Sequence, residues 1–97
     1  MVSHVVLLKI KSNIPLHEIT SLTDALIGLK RSIPELIDMQ AGINFSQRSK
    51  GFDIMLISQF NTKEDLNLYM NHPAHRTVVE KYIQPIREDL IVGDMEY

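Results

Sequence analysis

The chain has no cysteine and no tryptophan, and aromatic residues make up only 6% of its 97 residues. Without thiols there is no disulfide, no thiolate nucleophile and no sulfur-ligated metal, and cysteine usage leaves the redox compartment open. A surplus of one charge is also missing. Ten Lys and Arg face twelve Asp and Glu, a formal net charge of −2. Residues 1–50 carry six basic and four acidic groups, and residues 51–97 carry four and eight. Neither half is a basic patch, so neither nucleic acid nor an anionic membrane is an expected partner. Apolar runs stop at four residues, as in Val5–Leu8, against the ~20 that a membrane-spanning helix requires. The opening Met1-Val2-Ser3-His4 lacks the basic and then apolar pattern of a secretory signal. These absences leave a small cytoplasmic protein as the expectation, one domain over residues 1–97.

What is present is a set of short patterned segments. Ser3 to Lys11 alternates as a strand, with His4, Val6, Leu8 and Ile10 on one side and Val5 and Leu7 on the other. After Pro15, the residues Ile19, Leu22, Leu26, Leu29 and Ile33 recur at steps of three and four, the stripe of an amphipathic helix that Pro34 ends. Asp38–Phe45 and Phe52–Phe60 read as strands joined by the polar loop Ser46–Gly51. Thr62, with Asp65 three residues on, caps a second helix carrying Leu66, Tyr69 and Met70. Asn71-His72-Pro73 interrupts it, and Pro73 opens a short third helix on which His75, Val79, Tyr82 and Ile86 form a stripe. Leu90–Tyr97 is the last strand.

The order strand, helix, strand, strand, helix, strand makes two βαβ halves whose right-handed crossovers put the helices on one face of a four-stranded, mostly antiparallel sheet. That is an α+β, ferredoxin-like sandwich. Its far face is not polar. Val5 and Leu7, Met55 and Ile57, and Ile91 all fall opposite the helix-facing residues of their strands. Aliphatic surface of this extent needs a cover. A second copy packed sheet to sheet provides one, giving a homodimer closed as an eight-stranded α/β barrel.

Four histidines carry the candidate chemistry. His17 reads as a solvated residue in the first turn of the first helix. His72 and His75 have the spacing H-x-x-H, but Pro73 disturbs the helix that would align them on a metal, so His72 is read as a cap and no metal is expected. His75 shares a stripe with Val79 and sits in the first turn of a helix, where the dipole disfavours imidazolium. A neutral imidazole is what a general base requires. His4 and Tyr69 also lie on apolar stripes. Two readings stay open for these three side chains: packed structural residues, or one cavity between helices and sheet. No dinucleotide fingerprint, P-loop or nucleophile elbow occurs, so no cofactor is expected.

Several segments together resemble the stress-responsive dimeric α/β-barrel (Dabb) family over essentially the whole chain. They are His4-Val5-Val6-Leu7-Leu8-Lys9-Ile10-Lys11, Leu29 to Ile33-Pro34, Ala41-Gly42-Ile43-Asn44, Tyr69-Met70-Asn71-His72-Pro73-Ala74-His75 and Asp94-Met95-Glu96-Tyr97. The resemblance implies a ferredoxin-like fold and a homodimer through the sheet face. It implies a small-molecule-binding or scaffold protein associated with stress, without established catalysis. It implies an alternative as well, because plant polyketide cyclases similar to this family use a Tyr and a His in the matching segment for cofactor-free acid–base chemistry. Carried over by position, His75 would be the base and Tyr69 its hydrogen-bonding partner in a lyase or cyclase acting on a carbonyl or polyketide-like substrate. His4, Val6, Leu8, Leu22 and Leu26 would line the pocket for a small apolar or carbonyl-containing ligand. The aromatic lining of those cyclases has no counterpart on the first helix, which offers Leu22, Leu26 and Leu29.

Overall fold

β-Branched and aliphatic side chains fill the first strand of the computed structural model, which describes residues 1–97. This strand, β1, spans Val2–Ile10. Helix α1 (Leu16–Gly28) follows and tightens into a 3₁₀ turn at Leu29–Arg31. The hairpin strands are β2 (Asp38–Ile43) and β3 (Ile54–Phe60). Helices α2 (Lys63–Asn71) and α3 (Pro73–Val78) come next, then a π-helical turn at Val79–Ile83 and the long edge strand β4 (Arg87–Glu96). The sheet order is β2-β3-β1-β4, with every neighbouring pair antiparallel. This is the ferredoxin-like α+β arrangement expected from the order of elements.

Cross-strand register fixes which side chains meet. His4, Val6 and Leu8 stand opposite Ser58, Leu56 and Ile54 on β3, and opposite Asp94, Val92 and Leu90 on β4. All of these share the helix-facing side of the sheet. Leu22, Leu26, Leu29 and Ile33 close over them and complete the apolar core with Leu8, Ile54 and Phe60. The far side presents Val5, Leu7, Met55 and Ile57 half-buried, and Ile91 and Met95 exposed.

Three segments differ from their sequence expectation, each for a local reason. The hairpin strands are shorter: β2 ends at Ile43 and β3 begins at Ile54, leaving Phe45 outside the sheet and 93% exposed. Asn44 turns the chain there, its Nδ2 donating to the Phe52 carbonyl and its Oδ1 accepting from the Ser46 N–H. The third helix ends as an α-helix at Val78, and its period lengthens in the π turn that follows. Gln84 N–H donates to the Val79 carbonyl five residues back, at 2.9 Å, so the turn holds one more residue than an α turn. The buried positions consequently become Val78, Ile83 and Ile86, and Tyr82 is only half-buried. The last strand, finally, begins at Arg87 rather than Leu90.

Candidate functional site

The break between α2 and α3 builds the site. Tyr69 lies on the buried face of α2, two residues before the helix ends. His72 then takes an extended backbone (φ −69°, ψ 137°), as the residue before a proline must, and Pro73 opens α3 with its ring preset for a helix. The His72 side chain steadies the junction, since its Nδ1 accepts from the Ala74 N–H at 3.0 Å. The chain turns here and brings His75 back over Tyr69, with ring centroids 4.5 Å apart and planes at 53°. His4 approaches from β1, its ring 6.4 Å from that of Tyr69 and edge-on to it. Phe60 backs Tyr69 at 5.0 Å.

Each polar group has a defined state. The His75 Nδ1 lies 3.2 Å from the Met70 carbonyl. A carbonyl can only accept, so Nδ1 carries the hydrogen and Nε2 of the neutral ring keeps its lone pair. Burial pulls the His75 pKa below its ordinary 6.5; the Met70 bond opposes that shift, and the neighbouring His4 and His72 add to it. The imidazole is therefore neutral at pH 7. Burial drives the Tyr69 hydroxyl well above its ordinary range, so it remains a phenol and a hydrogen-bond donor. Its hydroxyl makes no bond within the chain, and no fully buried side-chain N or O lacks a partner, so this hydroxyl reaches accessible space. His4 is buried and its Nδ1 is paired with the Asp94 carboxylate, which stands directly opposite across β1 and β4. That contact fixes the ring orientation, as outer partners of functional histidines commonly do.

A cavity of about 190 Å³ opens beside these rings, between α3 with its π turn and the β1–β4 half of the sheet. Seven aliphatic side chains line it, Val6 and Leu8 among them, together with His4, His75 and Arg87. No carboxylate does. A second, more open groove of about 390 Å³ lies on the outer flank of His75, between Arg76, Glu80 and Gln84. The two imidazoles of the H-x-x-H segment have their Nδ1 atoms committed to backbone groups. No cluster of three His, Cys, Asp or Glu side chains could hold a metal ion.

Residues 2–97 match the family described as the Stress responsive A/B Barrel Domain, Dabb. The chain belongs to this family. A stress-response A/B barrel domain-containing protein of Arabidopsis thaliana is 30% identical over 94 residues, which is 97% of this chain and 36% of that protein. The Dabb chain thus spans about a third of the length of that relative. Among solved structures, a dimeric protein of ferredoxin-like fold from Bacteroides fragilis superposes with a TM-score of 0.85 at 26% identity, covering 99% of this chain and 95% of that one. A hydroxynitrile lyase from Passiflora edulis superposes at 0.86 with 20% identity, over 97% and 90% of the two chains. At that identity the likeness is one of fold.

Within the Dabb domain, the rings of Tyr69, His75 and His4 converge, and Val6 and Leu8 join His4 and His75 on the cavity wall. Tyr69 itself, 2% exposed, is not part of that wall, which corrects the expectation that all three line one cavity: it packs against the His75 ring instead. Leu22 and Leu26 do not reach the cavity either. Both are buried in the core between α1 and the sheet, at 0% and 1% exposure, which corrects the expectation that they line the same pocket. The physical reason is that α1 packs toward β2, at the opposite edge of the sheet from β4, whereas the cavity opens toward β4. His17 is exposed, as its polar surroundings imply. Sequence reasoning passed over Asp94 and Arg87. The signal for Asp94 was available, since it continues the alternation Leu90, Val92, Asp94 that shares the inward face with His4.

Proposed function

We propose that this chain is a homodimeric α/β-barrel domain that binds a small apolar, carbonyl-containing molecule in the cavity beside His4 and His75. The composition of that cavity carries the reading. An aliphatic wall with two imidazoles and a nearby phenol is the pattern of a small-molecule site, where a few polar groups orient an apolar ligand. Its volume of about 190 Å³ lies below the ~300–1,000 Å³ usual for drug-sized ligands, which favours a small one. The homodimer is supported by the aliphatic far face of the sheet and by the dimeric Bacteroides fragilis relative. An association with stress rests on the family description and on the Arabidopsis relative.

A second reading, a cofactor-independent lyase or cyclase, is favoured by the state of His75. Its Nε2 is an unprotonated base at neutral pH, and the Tyr69 ring packs against it. In this reading Nε2 takes the proton from the carbon next to the ligand carbonyl, and the Tyr69 hydroxyl donates a hydrogen bond to the oxygen that gains the charge. The fold is compatible with such chemistry, since a hydroxynitrile lyase shares it.

Native mass spectrometry of the purified protein tests the first reading through a co-purifying small molecule, released when His75 is changed to Ala. If neither retained ligand nor stabilisation by any small carbonyl compound is found, binding is overturned. Deuterium uptake from D₂O at the α-carbon of a bound ketone, followed by NMR, tests the second. Uptake in the parent chain that disappears in His75→Ala supports proton abstraction, and equal uptake in both refutes it.

A further inference from the structure

We propose that Arg87 is an anion anchor at the mouth of the His4–His75 cavity, so that the ligand class is a small apolar carboxylic acid or a like organic monoanion. This rests on the binding reading above and specifies its ligand.

The first observation is charge. Arg87 lines the cavity, and none of its other lining residues is acidic. The chain's ion pairs are Lys30–Asp38 and Lys63–Glu96, the Asp94 carboxylate is taken by the His4 ring, and Arg87 takes part in none of these contacts. Two acidic residues follow it directly, Glu88 and Asp89, yet neither neutralises it. An arginine guanidinium is a permanent cation that presents a planar fork matched to a carboxylate. Arg87 therefore stands exposed and unpaired beside an apolar hollow, with the polarity of a receptor for an amphipathic acid.

The second observation is register. Along β1 and β4 the pairs run regularly from Val2–Glu96 to Lys9–Asp89, and Ile10 then pairs with Arg87. An unbroken ladder would set Glu88 opposite Ile10, and alternation would turn that carboxylate toward the cavity beside Leu90. The irregularity skips Glu88 and gives the inward position to Arg87. Irregularities of this kind re-aim single side chains and gather beside functional sites. Here the effect is to exchange an acid for a base at the rim of the one cavity that contains His4 and His75.

An anionic head on Arg87 orients the rest of the ligand. The apolar chain then runs inward along Val6, Leu8 and Ile83, past the His75 ring.

Octanoate and octanamide have the same shape and differ in charge, so their affinities, from NMR shift titrations, separate the anchor from the cavity. The parent chain should bind octanoate about tenfold or more tightly than octanamide, as charge-assisted pairing implies. Arg87→Gln should erase that preference by weakening octanoate far more than octanamide, and Arg87→Lys should restore part of it. Because Arg87 is exposed on an edge strand, the variant should keep the parental denaturation midpoint, which certifies its fold independently of the probes. Equal affinity for the two probes in the parent chain leaves the cavity reading standing and overturns the anchor. Equal weakening of both probes in Arg87→Gln overturns it too. If neither probe shifts any cavity resonance, the binding reading falls and the anchor falls with it.

Discussion

His75 answers to two influences at once, and its behaviour should show both. The Met70 carbonyl fixes the hydrogen on Nδ1, and burial holds the ring neutral. The folded chain therefore protonates this imidazole at lower pH than the unfolded chain does. Where the unfolded state binds more protons, stability rises with pH. The contribution of His75 should accordingly be complete above its ordinary 6.5 and decline as pH falls below that value. Chemical denaturation across that window should show a slope that His75→Gln flattens. Tyr69 allows a cleaner separation of structure from function. Its hydroxyl has no partner within the chain, so Tyr69→Phe removes no internal hydrogen bond. Its stability to denaturant should stay within about 0.5 kcal/mol of the parent, the usual range for a change that breaks no contact. Ligand affinity or turnover should fall by contrast. A Phe variant that loses stability but keeps its ligand would make Tyr69 structural. At this scale the sequence was informative wherever one residue's position on a stripe decides its surroundings, as for His4 and Tyr69. It was silent on Arg87, because the register irregularity that turns this residue inward leaves no mark in local composition.

The element that matters most is the joint between α2 and α3, because it sets the angle at which Tyr69 and His75 meet. Asn71-His72-Pro73 announces a break, and both the proline and the cap could be read directly from residue type. The π turn that follows could not. Its extra residue moves the buried position from Tyr82 to Ile83, and nothing in a 3.6-residue stripe foretells a wider turn. Two caps provide matched tests of the joint. Thr62 caps the far end of α2, accepting from the Asp65 N–H at 3.1 Å, and His72 caps α3 at the joint itself. Replacing either by Ala should cost about 1 kcal/mol, the usual value of a lost helix cap. The two variants should then part company in function. Thr62→Ala leaves the joint intact and should keep parental ligand affinity, whereas His72→Ala loosens the support of His75 and should weaken binding. Equal affinities in titrations of the two variants would show that the joint does not position the site.

For the whole molecule, the far face of the sheet decides the assembly. The helices cover one side completely enough to bury Leu8, Ile54 and Phe60, and leave Val5, Leu7, Met55 and Ile57 without a layer above them. This was legible in advance, because alternation assigns each of those residues to the side opposite the core whatever the exact ends of the strands. The length of β4 was not legible: Ile91, Val92 and Met95 along it are exposed, and its first three residues are polar and read as loop. A sheet face of aliphatic side chains buried against a second copy belongs to the obligate class of interface, on the order of 2,000 Å² or more in total. Light scattering behind size exclusion should then return twice the 11.1 kDa chain mass. The unfolding temperature should also rise with protein concentration, as mass action requires when the folded state is a dimer. Leu7→Asp sets two like charges into the apolar layer of such a dimer. It should shift the population to monomer and lower the unfolding temperature together, because the exposed face and the lost partner are one event. Ser3 and Lys9 lie on the same face, on the same strand and toward its two ends, so Ser3→Asp serves as the control, with a smaller expected effect on both readouts. A Leu7→Asp protein that keeps the parental mass and the parental concentration dependence would place the interface elsewhere on the molecule.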